Sequence, residues 1–513
     1  MASDASKEKE VGVLNAIAVV NGNDFMTNAV DSRVFAMERG LRYVAGANAV
    51  VYSEFWIDEL NRLGPDKFQL LVTDGAESCK AGARTVLQQF PWMFWVWCVC
   101  HQLALWGCDI AAETFIAQTK TKAALVVALV RNYGWMQNEF SVRRTLHQEM
   151  RQKDRDHHGD AVIKKLARFA ATRFFYLFIV FDSLLSAKGV LVEIVNTEAF
   201  TTQFMRTQVT TDKKTKVDTA VKAIKDDGFW TTIQNIVTVL RPMYVALRTA
   251  DSRKPPGGKL YWQLYEIKTG RSHVEIFRNL DEDNELRKWF SDKMAPRMKN
   301  IMQPLMGAVF MLDPRYHDER RDIKNNDRPT WMWLKGAAAE VIGKVFHESK
   351  EQYDKSISPQ LRAQWEVQAG VLLDQFHGKC DVFDVAVFKG WSKVKADTDV
   401  ARWASMYMSD AIPLQYVMMK VLSLVFSSSA AERNFSAWNN VWSDDRAAMT
   451  FENARDRVYM YTNQRSMDAI AAEAFSPDFF LHVGGDDVQD PLDYEDGWNA
   501  PEQQEEAVVA AED

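Results

Sequence analysis

The chain has 513 residues, 47% of them hydrophobic and 12% aromatic, which is too long for one ordinary core and too apolar for wholesale disorder, so two or three domains are expected. No run of about 18 uninterrupted apolar residues occurs, and the start "MASDASKEKEVG" has no apolar signal region, so no membrane partner and no secretion are expected. The net charge is −7, but Asp486 to Asp513 holds eleven acidic residues and no Lys or Arg; removing that −11 leaves +4 on the remainder.

In chain order, "VGVLNAIAVV" (11–20) and "RVFAMERGLRYV" (33–44) read as strands, and "NAVVYSEFWIDELNRL" (48–63) as a helix stopping before Gly64-Pro65. "FQLLVTD" (68–74) is a short apolar strand, "ESCKAGARTVLQQF" (77–90) a helix, "MFWVWCVC" (93–100) a buried strand, and "HQLALWGCDIAAETF" starts another helix. The expected fold class is therefore a mixed α/β sheet over residues 1–110. Long helical patterns then make residues 111–384 an all-α region. Residues 385–465 are again mostly helical, and 466–513 read as an acidic, solvated tail.

Several residue groups are suited to chemistry. Asp74 stands where a strand meets a turn, either as an oxygen ligand projecting into a cleft or as the turn residue opening the next helix. Cys98, Cys100 and His101 cluster, yet lack the fourth ligand and spacing of a zinc site; "HGKC", His377 to Cys380, is the only distant candidate, and no structural zinc is expected. The five cysteines, at 79, 98, 100, 108 and 380, fit a reducing compartment. Methionines 294, 298, 302 and 306 repeat every four residues as core filler, with Pro296 and Pro304 arguing against one unbroken helix. Between Arg143 and Arg173 nine Lys or Arg face four acids, and aromatic residues follow at once; Arg143, Arg144, Lys164, Lys165, Arg173 and Phe174 suit a DNA backbone with an unstacked base, or else form a solvated face. Finally, "SSSAAERNFS" (427–436) sets Glu432 beside Arg433, as a helix start or as a metal-bearing carboxylate.

Three ordered stretches resemble the hAT superfamily of DNA transposases. They are the block from "FQLLVTDGAES" to "CVCHQLAL", with its Cys-x-x-His from Cys98 to His101; "ATRFFYLFIVFDSLL", with Thr172, Arg173 and Phe174; and "VARWASMYMSDAIPLQYVMMKVLSLVF" running into the Glu432, Arg433, Phe435, Ser436 motif. "MLDPRYHD" (311–318) is similar to a further stretch of the family's insertion. The resemblance spans roughly residues 4 to 465.

What the resemblance implies is an RNase H-like sheet interrupted by a large helical insertion, with residues 385–465 returning as a dimerisation region that completes the catalytic fold. In the family three acids bind two divalent cations, Mg²⁺ or Mn²⁺, for attack on phosphodiesters. The second maps onto Asp74, the third onto Glu432, and the first, counted back from Asn15, onto Asp4, where Ala5 and Ser6 replace the usual Gly-Trp. Three residues precede Asp4, so a truncated first strand, a fraying ligand and an inert chain are expected. Self-association is expected through Trp403, Tyr407, Leu414, Val421 and Leu424. The implied protein is nuclear and acts on DNA; the rival reading is a domesticated scaffold that keeps the dimer surface and no longer cuts.

Overall fold

Five strands form one mixed sheet in the order β3-β2-β1-β4-β5: β1 (Ala2–Glu8), β2 (Val11–Val20), β3 (Asn23–Asp31), β4 (Leu70–Thr73) and β5 (Phe94–Trp97). The computed structural model describes residues 2–8, 11–20, 23–31, 37, 39, 48–153, 163–169, 175–205, 211–252, 254–278, 280–282, 284–441 and 449–475. β1, β2 and β3 are antiparallel to one another, whereas β1 and β4, and β4 and β5, run parallel. The fold is thus an α-rich mixed one. The chain divides after Met467; of the second unit, residues 468–513, only helical residues up to Phe475 are described. Among the described residues no helix is long and apolar enough to cross a membrane.

Local chemistry sets the elements around the parallel half. Helix α1 (Ala49–Leu63) starts where the Asn48 side chain accepts hydrogen bonds from Val50 N and Val51 N, and it ends at Gly64, φ 92°, before Pro65. α2 (Glu77–Gln89) and α3 (Val99–Ala111) follow β4 and β5. The period-two alternation of the strands divides their side chains between two cores. Leu71 packs with Phe55, Trp56, Val86 and Trp92 under α1 and α2, while Leu70, Val72, Phe94 and Val96 join the large helical core. A third cluster joins Ile17, Met26 and Ala29 of the antiparallel half to Ala430, Ala431, Phe435, Trp438, Ala454 and Val458. Residues from the far end of the chain therefore cover the first strands.

The residues expected to carry a truncated first strand form β1, which pairs with β2 from Ala2 with Ile17 to Glu8 with Val11. Two expectations are corrected. The third strand lies over Asn23–Asp31, before the stretch 33–44, of which Met37 is helical and Arg39 in a turn while the rest falls outside the described residues. The apolar residues of the 400–424 stretch are not a free surface. Trp403, Leu414 and Val421 are buried in the chain's own core, and Tyr407 and Leu424 pack half-buried against it. Trp403 even spends its indole N–H on Gly390 O at 3.0 Å. The helical region supplies the partner surface, and the exposed apolar residues there are Met406, Ile412 and Met419.

The "MLDPRYHD" stretch is a structural knot. Asp313, fully buried, accepts from Gly258 N at 2.7 Å, Arg315 N at 3.0 Å and Arg315 Nη2 at 2.6 Å. Arg315 Nη1 reaches on to Ala396 O and Thr398 O. A Cβ at Gly257, φ 54°, would meet Arg315 Nη2, so this turn needs glycine for space as well as for backbone angle. Nearby, Pro296 sits inside the helix Glu285–Ile301 and Pro304 opens the helix Pro304–Leu312; Met298 and Met306 are buried as core filler.

At each sheet edge, among the described residues, a carboxamide pairs with one backbone unit, and on β3 Arg62 Nη2 also donates to Thr27 O at 3.1 Å. On β3, Asn463 Oδ1 accepts from Met26 N at 2.9 Å and its Nδ2 donates to Met26 O at 3.2 Å. On β5, Gln303 Oε1 accepts from Trp97 N at 2.9 Å and Nε2 donates to Trp97 O at 3.0 Å. Each amide replaces the next strand's peptide and blunts an otherwise open edge. Asn463→Ala and Gln303→Ala should each destabilise by about 1–3 kcal/mol and raise light scattering on mild heating. An unchanged urea midpoint in the double variant would show that the edges are closed by something else.

Candidate functional site

Asp74 lies immediately past the buried strand β4 and is itself half-buried. Its Oδ1 accepts from Ala76 N at 3.0 Å, so it does shape the turn into α2. Among the described residues its other oxygen, Oδ2, takes no hydrogen bond. The strand end is pinned from below: Trp95 Nε1 donates to Thr73 Oγ1 at 3.0 Å, and Thr73 Oγ1 donates to Asp74 O at 3.0 Å. At Gly75 a Cβ would stand 2.7 Å from Gln102 Nε2 of α3. Gln102 is buried and borders the turn, a neighbour that no sequence pattern announces.

Asp4 enters by register. Ala2 of β1 lies level with Val72 of β4 in a parallel pair, so Asp4, two residues further on, is level with Asp74. Across the other side of β1 it pairs directly with Asn15. The side chain of Asp4 lies outside the described residues.

Glu432 enters by a junction at Cys98. Cys98 N donates to Thr73 O at 2.8 Å, so this residue continues the β5 pairing with β4. Its sulfur caps α3, accepting from His101 N at 3.4 Å, and also accepts from Ser428 N at 3.2 Å. Beside it, Val99 N donates to Phe426 O at 2.9 Å, and Ser427 Oγ donates to Cys100 Sγ at 3.2 Å. The helix Ser429–Val441 starts from this anchor, and Glu432 falls in its first turn, about 5.4 Å of rise per turn. Asp74 follows Thr73; Glu432 follows Ser428. Both are tied to one residue, across more than 300 positions of sequence.

The helix seats itself through Ala430, Ala431, Phe435 and Trp438, all buried, and through Asn434, whose Nδ2 donates to Thr462 Oγ1 at 2.8 Å. The side chains of Glu432, Arg433 and Ser436 lie outside the described residues. Burial pushes the Cys98 thiol up, but hydrogen bonds from Cys100 and from Ser428 outweigh it and bring its pKa down to about 6. Burial and the adjacent Cys98 sulfur push Cys100 the other way.

The remaining sequence candidates divide. Arg143 is paired with Glu139 at 2.7 Å and with Glu193, and Lys164 with Asp182 at 2.8 Å, so both charges are committed inside the chain. Arg144 is half-buried and Lys165 exposed. Thr172, Arg173 and Phe174 lie outside the described residues. His377 does not join the Cys98 cluster: its Nε2 donates to Met311 O at 2.8 Å and its ring packs on Trp331, while Cys380 is exposed. Among the described residues no group of three or more His, Cys, Asp or Glu is arranged to hold a metal. No family model matches the chain, and no curated protein matches it.

Burial, and then the charge of Arg320, push His377 down to about 3. The unfolded chain therefore takes up a proton that the folded chain refuses, and stability should fall as pH drops from about 6.5 towards 3. Thermal melts from pH 7.5 to 4.5 should show a shallower decline for His377→Gln than for the parent. Parallel declines would mean that this imidazole titrates alike in both states.

Proposed function

We propose that the chain is a hAT-type, transposase-derived protein that acts on DNA, with an RNase H-like sheet carrying Asp4, Asp74 and Glu432. The observation that carries this reading is the return of the C-terminal chain to the strand end holding Asp74, with Cys98 bonded to both. Two further features support it. β1 is the central strand, which is where the family keeps its first acid, and Asp4 on it is level with Asp74.

The donor set fits a hard divalent cation. Asp74 offers a carboxylate oxygen not used by the turn, and the other two candidates are carboxylates as well, the ligands Mg²⁺ and Mn²⁺ prefer over nitrogen or sulfur. A cation bound there supplies charge neutralisation at the phosphate and activation of an attacking hydroxyl. The chain's own residues hold the geometry: Thr73 and Trp95 fix the strand end at Asp74, with Gln102 close against Gly75, and Cys98 and the serines fix the helix of Glu432. The backbone pairing of Asp4 with Asn15 supports an ordered rather than a fraying position for this residue.

The test is nicking and strand transfer on DNA with Mn²⁺. Activity should be present in the parent and fall to background in Asp74→Ala, Glu432→Ala and Asp4→Ala, with folding checked by circular dichroism. No activity in the parent, with DNA binding intact, would replace this reading by the scaffold one.

DNA affinity should divide in the same way as the ion pairs. Arg144→Glu should weaken binding without changing sequence preference and lower the salt slope by about 1. Neutralising Arg143 or Lys164 should instead act first on stability, because Glu139 loses its partner, while Glu193 is left with His147 alone and Asp182 with Arg241 alone. Equal effects on binding from all three would mean that the internal pairs open to meet phosphate.

A further inference from the structure

The Cys98 junction has more hydrogen bonds than a helix cap requires. A capping side chain satisfies one or two N–H groups of its own helix. Here the sulfur also takes Ser428 N–H from a segment 330 positions away, at 3.2 Å. The residue's own N–H is spent on Thr73 O, and the next residue's N–H on Phe426 O. The receiving segment is built to match. Ser427 Oγ accepts from Ser429 N at 3.0 Å while donating to Cys100 Sγ, and Ala431 N donates to Ser428 O at 2.8 Å. Cys98, Cys100 and Ser427 to Ser429 are all buried, which leaves no path for a reagent or an ion and no water to substitute for a lost acceptor.

We propose that Cys98 is a positioning residue, whose sulfur acts as the hydrogen-bond acceptor that locks the first turn of the helix Ser429–Val441 against the strand end carrying Asp74. The lowered pKa accords with this role, since a sulfur bearing negative charge is the stronger acceptor for the N–H groups that converge on it. The clasp stands on its own hydrogen bonds; only its consequence, the spacing of Asp74 and Glu432, rests on the proposed function. The serine-rich lead is then explained by polarity: the Ser427 hydroxyl accepts from Ser429 N inside the turn and donates to Cys100 Sγ, and it also meets the Ser429 hydroxyl.

Amide hydrogen exchange on the full chain separates an acceptor from a space-filler. Cys98→Val fills a similar volume and accepts nothing, while Cys98→Ser accepts with a smaller atom. In Cys98→Val, amides of residues 428–434 should exchange roughly tenfold faster or more, with α1 and α2 unchanged, and Cys98→Ser should recover most of that protection. Ser428→Pro deletes the same hydrogen bond from the donor side and should loosen the same residues even where the valine variant folds poorly. Parent-like protection in Cys98→Val, or a serine variant as fast as the valine one, would overturn the proposal. So would loosening spread evenly through residues 1–467. The readout is backbone protection, so it holds or fails whatever the parent chain does to DNA.

Discussion

The central strand of the sheet is its least hydrophobic one. β1 reads "ASDASKE", with two alanines as its only apolar residues, and a strand of that kind cannot hold a central place by burying large side chains. It is held instead by ladder hydrogen bonds to neighbours on both sides and by a lid of distant helices. Phe435 and Trp438 provide that lid together with Ala430 and Ala431, packing near Ile17, Met26 and Ala29. Full burial of a large apolar side chain contributes about 1.5–3 kcal/mol, and among the described residues this cluster is the core against the antiparallel half. The N-terminal sheet is therefore incomplete until the C-terminal helices arrive. The same closure that supplies the core brings the Glu432 turn to the end of β4.

Such a dependence explains what the sequence disclosed and what it hid. β2, β4, β5 and α1 to α3 carry their own signals: apolar runs of strand length, helical periodicity, an Asn cap and a Gly-Pro stop. Asp74 was legible because a strand ending in an acid is a local pattern. β1 carried no local signal, since its place is fixed by pairing. β3 lay in the weak text "NDFMTNAVD", and the more apolar stretch after it drew the assignment away. The density of large residues from Trp403 to Leu424 was visible; that the helical region had already claimed them was not. Arg143 and Lys164 likewise read as free charge until Glu193 and Asp182, tens of residues along, came beside them.

Single amides and thiols are the least legible parts of the structure. Gln102, Gln303 and Asn463 belong to no periodic pattern, yet Gln303 and Asn463 each pair with a strand-edge backbone unit and Gln102 crowds the turn at Gly75. Cys98 was readable in a cluster with Cys100 and His101 that lacks the spacing of a zinc site, and as half of a Cys-x-x-His signature. Among the described residues the His101 and Ser428 N–H groups converge on this sulfur and make it an acceptor. Asp313 shows the parallel case for charge, where an acid and a base two residues apart serve a glycine turn and a distant loop.

The carboxamide closures also set a timetable. The edge of β3 waits for a residue 437 positions after Met26, and the edge of β5 for one 206 positions after Trp97. At synthesis rates of about 5–20 residues per second, the β3 edge stays open on the order of tens of seconds after it leaves the ribosome. During that interval the nascent sheet presents unpaired N–H and C=O groups to every neighbouring chain. Until Gln303 and then Asn463 have been made, each edge is open to pairing with another chain.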